Sequence, residues 1–439
     1  MYTISLTNLE LQDNEMRWLL NEVPFKIKYM FDVDYKFINT FKLIPIIQTC
    51  CLAASYNDKV RFESNIAISN ELKQFIVEYL KIQYVFNMEQ LDIKINSSIP
   101  KINIVFPKDS YKDDKIIKQK INTVASSWSG GKDSYLTIKL LQECGLKVVP
   151  TTTKWNTIAF NRGANPFLSS HDEIKKNIIA SVSIGNKLKK LFKGALSETG
   201  ISIENTQSGT FKNKREIPMI LYHSFYMNAQ NINNILYALH NNIQHVFMGD
   251  EADVNITSKY CGFKRYNNIG QGYKNKILLN EYLVSIYGDN ATQIHSLLYP
   301  IHGPLEIKLL IERYNTNKFS SCLTMIGTAC STCPKCLVTF LTCKSLGIEP
   351  YVLGINQEKL IKNFNWKMSD SYLVPEEKIT YWFIKNCIHD PELTPILSEL
   401  LDETPTEIDF NPLIPLKNKY KTIPSFLRKK ISKIYNEYI

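Results

Sequence analysis

The stretch Val124-Ala125-Ser126-Ser127-Trp128-Ser129-Gly130-Gly131-Lys132-Asp133-Ser134 passes from apolar and small residues through a glycine turn into a helix-forming segment. Val124 to Trp128 reads as a buried strand. Asp133 to Cys144 reads as a helix, with Leu136, Leu140 and Leu141 at helical spacing and Gly145 at a C-cap position. The first N–H groups of a helix lack intrahelical partners, and the helix dipole makes that end positive. Glycines ahead of it let the backbone approach a ligand and adopt positive φ. Together these features suit a phosphate. Ser129 and Ser134 offer hydroxyl donors and Lys132 a positive charge, while Asp133 is placed to cap the helix or help hold magnesium. The Walker A pattern, a different phosphate loop, is absent.

Farther along, Lys147 to Thr152 reads as a second strand, His245 to Met248 as a later one and Leu305 to Tyr314 as a helix. This alternation predicts an α/β fold, a parallel sheet with helices on both faces. Gly249-Asp250-Glu251-Ala252-Asp253 follows the later strand at the carboxyl edge, where ligands of such sheets bind. Its three carboxylates are candidates for magnesium or substrate, with Asp250 the foremost catalytic candidate. Arg162 and His171, after the second strand, are weaker candidates for phosphate contact.

Residues 1–115 read as an α+β region without a catalytic motif, a candidate for substrate or partner recognition. Asn70 to Leu80 has helical spacing, Leu91 to Ile95 and Ile102 to Phe106 read as strands, and Pro107 to Lys115 as a linker. Residues 351–439 read as a helical region that passes from an acidic stretch, Asp390 to Asp409, into a basic tail. That tail carries Lys417, Lys419, Lys421, Arg428, Lys429, Lys430 and Lys433. Such a tail suits nucleic acid or an acidic partner, although a solvated terminal helix is the ordinary reading.

At 439 residues, with 44% hydrophobic and 11% aromatic residues and a formal charge of +10, the chain has the composition of a globular protein. The opening shows no basic-then-apolar secretory pattern, and the longest nearly apolar run, Leu43 to Ala54, is too short for a membrane span of roughly 20 residues. A cytoplasmic protein without membrane contact is expected. Of ten cysteines, Cys322, Cys330, Cys333 and Cys336 have the spacing C-x7-C-x2-C-x2-C. Four thiolates on tight turns suit a closed tetrahedral zinc site, and an iron–sulfur cluster is the alternative. Cys343 reads as a buried thiol, and Cys50, Cys51, Cys144, Cys261 and Cys387, each standing alone, read the same way.

Ser129 to Ser134 resembles the S-G-G-x-D-S signature of the PP-loop ATP pyrophosphatases, which cleave ATP to AMP and pyrophosphate. The hexapeptide followed by the cysteine cluster is similar to the QueC (7-cyano-7-deazaguanine synthase) family across about residues 120–350. The resemblance implies that Ser129, Gly130, Gly131, Lys132, Asp133 and Ser134 bind the phosphates of ATP; Lys132 and Asp133 of that turn, with Asp250 at the carboxyl edge, are the catalytic candidates. It implies magnesium beside them and zinc on Cys322, Cys330, Cys333 and Cys336. It further implies a PP-loop ATP-binding domain over residues 116–350. There a carboxylate, of a 7-deazaguanine type, would be adenylated for attack by ammonia or another amine. The flanks on either side of that region look like those of larger family members from anti-phage operons, with a protein or nucleic-acid acceptor. One departure stands out: the family's lysine after Pro300 is replaced by Pro304-Leu305-Glu306. A tRNA-thiolating enzyme, a diphthamide-type amide ligase and a non-catalytic nucleotide-binding scaffold are the competing readings of the same turn.

Overall fold

Asp13-Asn14 and Asn21-Glu22 all adopt positive φ, from 46° to 63°. They form two-residue turns whose twist matches that of antiparallel strands. They fold β1 (Tyr2–Gln12), β2 (Glu15–Leu20) and β3 (Val23–Tyr29) into a meander. The helices α1 (Ile38–Ala53) and α2 (Asn70–Gln90) follow, the latter capped by Ser69 Oγ, which accepts from Leu72 N at 3.1 Å. Between and after them β4 (Val60–Ser64) pairs in parallel with β1, and β5 (Asn103–Val105) in parallel with β4. The computed structural model describes residues 2–56, 60–91, 93–95, 103–108, 120–155, 177–182, 185–198, 217–266, 268–319, 321–322, 329–363, 374–386 and 410–439.

The second half begins with β6 (Lys120–Ser127), α3 (Lys132–Glu143), β7 (Lys147–Trp155) and β8 (Asn177–Val182). It continues through α4 (Gly185–Glu198), α5 (Ile217–His240) and β9 (Ile243–Met248). The hairpin β10 (Thr257–Tyr260) and β11 (Phe263–Tyr266) precedes α6 (Tyr273–Tyr287) and β12 (Gln293–Ser296). Strands β12, β9, β6, β7 and β8 lie side by side, all parallel. β8 then pairs antiparallel with β3 and joins both halves in one sheet of ten strands, β12-β9-β6-β7-β8-β3-β2-β1-β4-β5. The result is a mixed α/β fold around a large, mostly parallel sheet.

Neighbouring residues of a strand face opposite sides, so Ala125, Val246 and Ile294 enter one core while Val124 and Phe247 enter another. The first core also holds Trp18, Phe41, Tyr79, Phe225 and Leu279. Strands and helices before and after residue 115 therefore share one sheet and one core. The second core joins α3 to α7 (Gly303–Lys308) and, beyond them, the C-terminal helix. A third cluster surrounds the cysteines with α8 (Pro334–Ser345), α9 (Gln357–Asn363) and α10 (Val374–Asn386). The last helix, α11 (Ser425–Asn436), buries Leu427, Ile431, Ile434 and Tyr435 against the second core.

Several local expectations change. The helix read at Asn70 to Leu80 continues to Gln90, and residues 93–95, expected within a strand, belong to none. The helix read as Leu305 to Tyr314 is α-helical only to Lys308 and ends in a single π turn, Leu309–Arg313. The run from Leu43 lies in α1, whose residues are all buried. Cys50, Cys51, Cys144 and Cys343 are buried as expected, but Cys261 is exposed, because it sits with positive φ in the turn between β10 and β11. Among the described residues no helix is long and apolar enough to cross a membrane. Arg162, His171, Cys387, residues 109–115 of the expected linker and the acidic stretch from Asp390 to Asp409 lie outside the described residues.

Candidate functional site

The chain leaves β6 toward β7 on one side and later returns to β9 on the other, so the strand order reverses between β6 and β9. A crevice at the carboxyl ends of such a pair is the usual ligand site of an open parallel sheet. The glycine turn follows β6, and Gly249 to Asp253 follows β9, so the two segments singled out from the sequence flank this one place. They touch. A Cβ on Gly249 would lie 2.8 Å from the Asp133 carbonyl carbon and 2.9 Å from Ser134 N, so only glycine lets the end of β9 approach the first turn of α3.

The turn itself is held from within. Gly130 has φ of 81°, a conformation that favours glycine. Ser129 N donates to Ser134 Oγ at 3.3 Å, the two hydroxyls lie 3.2 Å apart, and Ser134 Oγ donates to Gly131 O at 3.0 Å. No side chain caps α3 at Gly131, which leaves its first N–H groups available to an anion. Below the turn, Trp128 N donates to Thr151 O at 2.7 Å and Thr152 Oγ1 to Trp128 O at 2.8 Å, bracing the end of β6 against β7.

Lys132, expected to present its charge to phosphate, is turned inward and 5% exposed. Its ammonium pairs with Asp133, with Glu251 Oε2 at 2.8 Å and with Glu306 Oε2 at 2.9 Å. Burial disfavours the charge, but the three carboxylates outweigh it and hold the Lys132 pKa well above the usual lysine range. Burial also opposes ionisation of Asp133, yet Lys132 brings that carboxyl down to about 2. Glu251 and Glu306 respond differently: burial, only partly offset by Lys132, raises both, Glu306 strongly. Glu306 is fully buried and its Oε1 has no hydrogen-bond partner among the described residues. Gly303 keeps the approach open, since a Cβ there would meet Glu251 Oε2 at 3.2 Å and Lys132 Nζ at 3.3 Å.

The acids after β9 do not converge on one ion as their spacing suggested. Asp250 pairs with Lys276 of α6 and accepts from Gln271 Nε2 at 3.0 Å, while its backbone is held by Ser296 Oγ. Glu251 goes to Lys132, and Asp253 Oδ1 meets His302 Nδ1 at 2.5 Å. The carboxylates that do gather are Asp133, Glu251 and Glu306, with ligand oxygens within 4.8 Å of one another. No spacing rule singles out Glu306 or Lys276. Glu306 had shown only as a departure from the resembled pattern, and Lys276 had no signal.

Lys276 is itself braced from afar. Its neighbour Asn275 donates to Asn228 Oδ1 at 2.7 Å, Asn228 donates to Tyr79 OH at 3.0 Å, and Tyr79 OH donates to Gln83 Oε1 at 3.2 Å. Gln83 then donates to Asn87 Oδ1 at 2.7 Å. This buried polar chain ties α2 to α5 and α6.

The four clustered cysteines come together as their spacing predicted. Cys330 and Cys336 sulfurs are 3.7 Å apart, Cys333 and Cys336 sulfurs 3.5 Å, and Cys330 N lies 3.3 Å from Cys322 Sγ. Tetrahedral zinc with sulfur at ~2.3 Å places its ligands ~3.8 Å apart, so the donor set fits a metal such as zinc. Ser331, with φ of 53°, makes the sharp turn between Cys330 and Cys333. Cys333 stands at the start of α8, and Lys335 in its first turn acts electrostatically on Asp133 and Glu251. The cysteine knuckle is thus next to the carboxylate site.

No family model and no curated protein matches this sequence.

Proposed function

We propose that the chain is a QueC-like PP-loop enzyme that cleaves ATP to AMP and pyrophosphate to activate a carboxylate for attack by a nitrogen nucleophile. One observation carries the reading: the S-G-G-x-D-S turn opens a long helix without a side-chain cap at the point where the parallel strand order reverses, with three carboxylates beside it. In this reading the free N–H groups of α3 and the hydroxyls of Ser129 and Ser134 hold phosphate oxygens. The carboxylate oxygen of the substrate attacks the α-phosphorus, the bond to the β-phosphate oxygen breaks, and pyrophosphate leaves. Ammonia or another amine then attacks the acyl carbon, and AMP leaves. No side chain serves as covalent nucleophile; the rate comes from positioning and electrostatic stabilisation.

Asp133, Glu251 and Glu306 supply hard oxygen donors close together, and Glu306 Oε1 has no hydrogen-bond partner among the described residues, so the set fits magnesium. A magnesium ion held there would neutralise phosphate charge. Lys132 keeps the three carboxylates together, and the pair Asp250–Lys276 fixes the opposite wall. Zinc on the four cysteines would be structural, holding the start of α8 and Lys335 against the site. A 7-deazaguanine-type acid is the substrate class that the resemblance supplies.

The test is carboxylate-dependent exchange of labelled pyrophosphate into ATP across a panel of deazaguanine acids, followed by product mass with ammonia. Wild type is expected to form AMP, and the double variant Lys132→Ala, Asp133→Ala to lose it. Pyrophosphate release that persists undiminished in the double variant would refute the assignment.

A further inference from the structure

From Asn411 to Asn436 the chain carries seven cations, Lys417, Lys419, Lys421, Arg428, Lys429, Lys430 and Lys433, and no acidic residue. Every one of them is exposed. The segment is nevertheless firmly built. Leu416 N donates to Pro300 O at 2.7 Å, and Phe410 stacks on His302 with ring centres 4.8 Å apart. Pro300 and His302 belong to the loop that leads into Gly303 and Glu306, so the basic segment starts on the wall of the carboxylate site. The Arg428 guanidinium donates to Lys421 O at 3.2 Å and to Ile423 O at 3.1 Å, folding the 3-10 turn Lys417–Thr422 back onto α11. Lys430 Nζ donates to Cys144 O at 3.0 Å, and Tyr435 OH to Leu297 O at 3.0 Å.

These contacts use the backbone carbonyls around the segment and leave five ammonium groups, on Lys417, Lys419, Lys421, Lys429 and Lys433, with no ion pair among the described residues. Phe426 lies in the same stripe as Lys429 and Lys433, at i, i+3 and i+7 on α11. One face of its ring stacks on His245 at 4.5 Å, and the residue is still 45% exposed. A solvated helix has no need of an exposed phenyl ring in the middle of its cationic face. Cations that follow a phosphate backbone, together with an aromatic ring on which a base stacks, are the elements of a surface for single-stranded nucleic acid.

We infer that the surface formed by Lys417, Lys419, Lys421, Phe426, Lys429 and Lys433 binds single-stranded nucleic acid and leads it to the wall of the ATP site as the acceptor. The binding half stands on this surface alone. The acceptor half rests on the function proposed above.

The experiment measures binding of the full chain to fluorescein-labelled oligo(U) and oligo(dT) between 50 and 200 mM salt, by anisotropy. With about five phosphate contacts, at ~0.7 per contact for a single strand, the log–log salt slope is expected near ~3.5. Lys417→Glu, Lys419→Glu, Lys421→Glu as a triple variant and Lys429→Glu, Lys433→Glu as a double variant should each weaken binding at least tenfold and flatten the slope. Phe426→Ala should weaken binding with the slope unchanged. Equal oligonucleotide affinity in these variants would overturn the inference. So would polyglutamate binding as tightly at equal charge with Phe426→Ala silent, which would point to an acidic protein partner instead. Unchanged melting temperature and unchanged pyrophosphate exchange in the variants keep the result separate from folding and from the ATP reaction. Oligonucleotide binding without ATP turnover in wild type would overturn only the acceptor role and the proposed reaction.

Discussion

Lys132 and Glu306, 174 residues apart in the chain, meet at 2.9 Å in the interior, with Glu306 fully buried. A buried ammonium with one carboxylate is a closed pair. Here it has three, Asp133 and Glu251 being the others, and one ammonium offsets their burial only in part, so Glu251 and Glu306 keep raised pKa values.

Removing the ammonium should therefore cost stability in a pH-dependent way. Lys132→Met leaves buried carboxylates unpaired, a loss of about 3–5 kcal/mol for breaking such a pair. Glu251 and Glu306 already have raised pKa values, so each favours folding below its unfolded value near 4.5, and that stability is lost as pH rises through the folded value. Without Lys132 the folded values rise further. The melting-temperature deficit of Lys132→Met should be larger at pH 8 than at pH 5, and adding Glu306→Gln should shrink it without restoring ATP turnover. A deficit independent of pH would mean that the lysine matters through packing alone.

The cysteine knuckle yields a prediction about metal. Purified protein should carry one zinc per chain and neither iron nor sulfide. Chelation should release it, lower the melting temperature and raise proteolytic cleavage around α8, because Cys333 and Cys336 flank the start of that helix. Cys336→Ser should behave like chelated wild type. Stoichiometric iron and sulfide would instead move the chain toward the thiolating class.

His245 and His295, on adjacent strands, lie 3.1 Å apart between ring nitrogens. Burial lowers their pKa values from 6.5 to about 4 and about 3. The unfolded chain therefore takes up protons first as pH falls, and the pair's contribution, complete above 6.5, is lost on the way down toward 3. The carboxyls raised by burial slope the other way, so a difference measurement is needed. The melting temperature of wild type minus that of His245→Asn, His295→Asn should fall steadily between pH 7 and pH 4. A constant difference would show that the pair does not stay neutral.

What could be read in the sequence was what is local. The strand before Ser129, the glycine turn and the leucine spacing of α3 lie within a couple of dozen residues, and each constrains its neighbour. Cys330, Cys333 and Cys336 were visible for the same reason. The partners of Lys132 were not, because Glu251 and Glu306 reach it only through the packing of β9 and α7 against α3. The helix α5 went unread: asparagine is usually exposed, yet Asn228, Asn231, Asn233 and Asn234 are all buried in it. The meander was hidden too. Its turns at Asp13-Asn14 and Asn21-Glu22 contain no glycine, and its Ile27 pairs with Val182, far along the chain.

That pairing decides the outcome of removing the first 115 residues. If they formed a separate recognition module, the remainder would keep the proposed ATP site and lose only the proposed acceptor. Instead, deletion strips β3 from the edge of β8 and removes Trp18, Phe41 and Tyr79 from the core that holds Phe225 and Leu279. It also cuts the buried chain from Gln83 through Tyr79 and Asn228 to Asn275, beside Lys276. An exposed strand edge over an opened apolar face is an aggregation site. The truncated chain is expected to be insoluble or unfolded by circular dichroism, and not to bind ATP. The single substitution Asn228→Leu tests the same link more gently: it removes the bonds joining Asn228 to Asn275 and Tyr79, leaving Asn275 its bond to Gly270 O and Tyr79 its bond to Gln83, and should cost about 1–3 kcal/mol. A soluble, cooperatively melting truncation that still binds ATP would show that the sheet's two halves are stable apart.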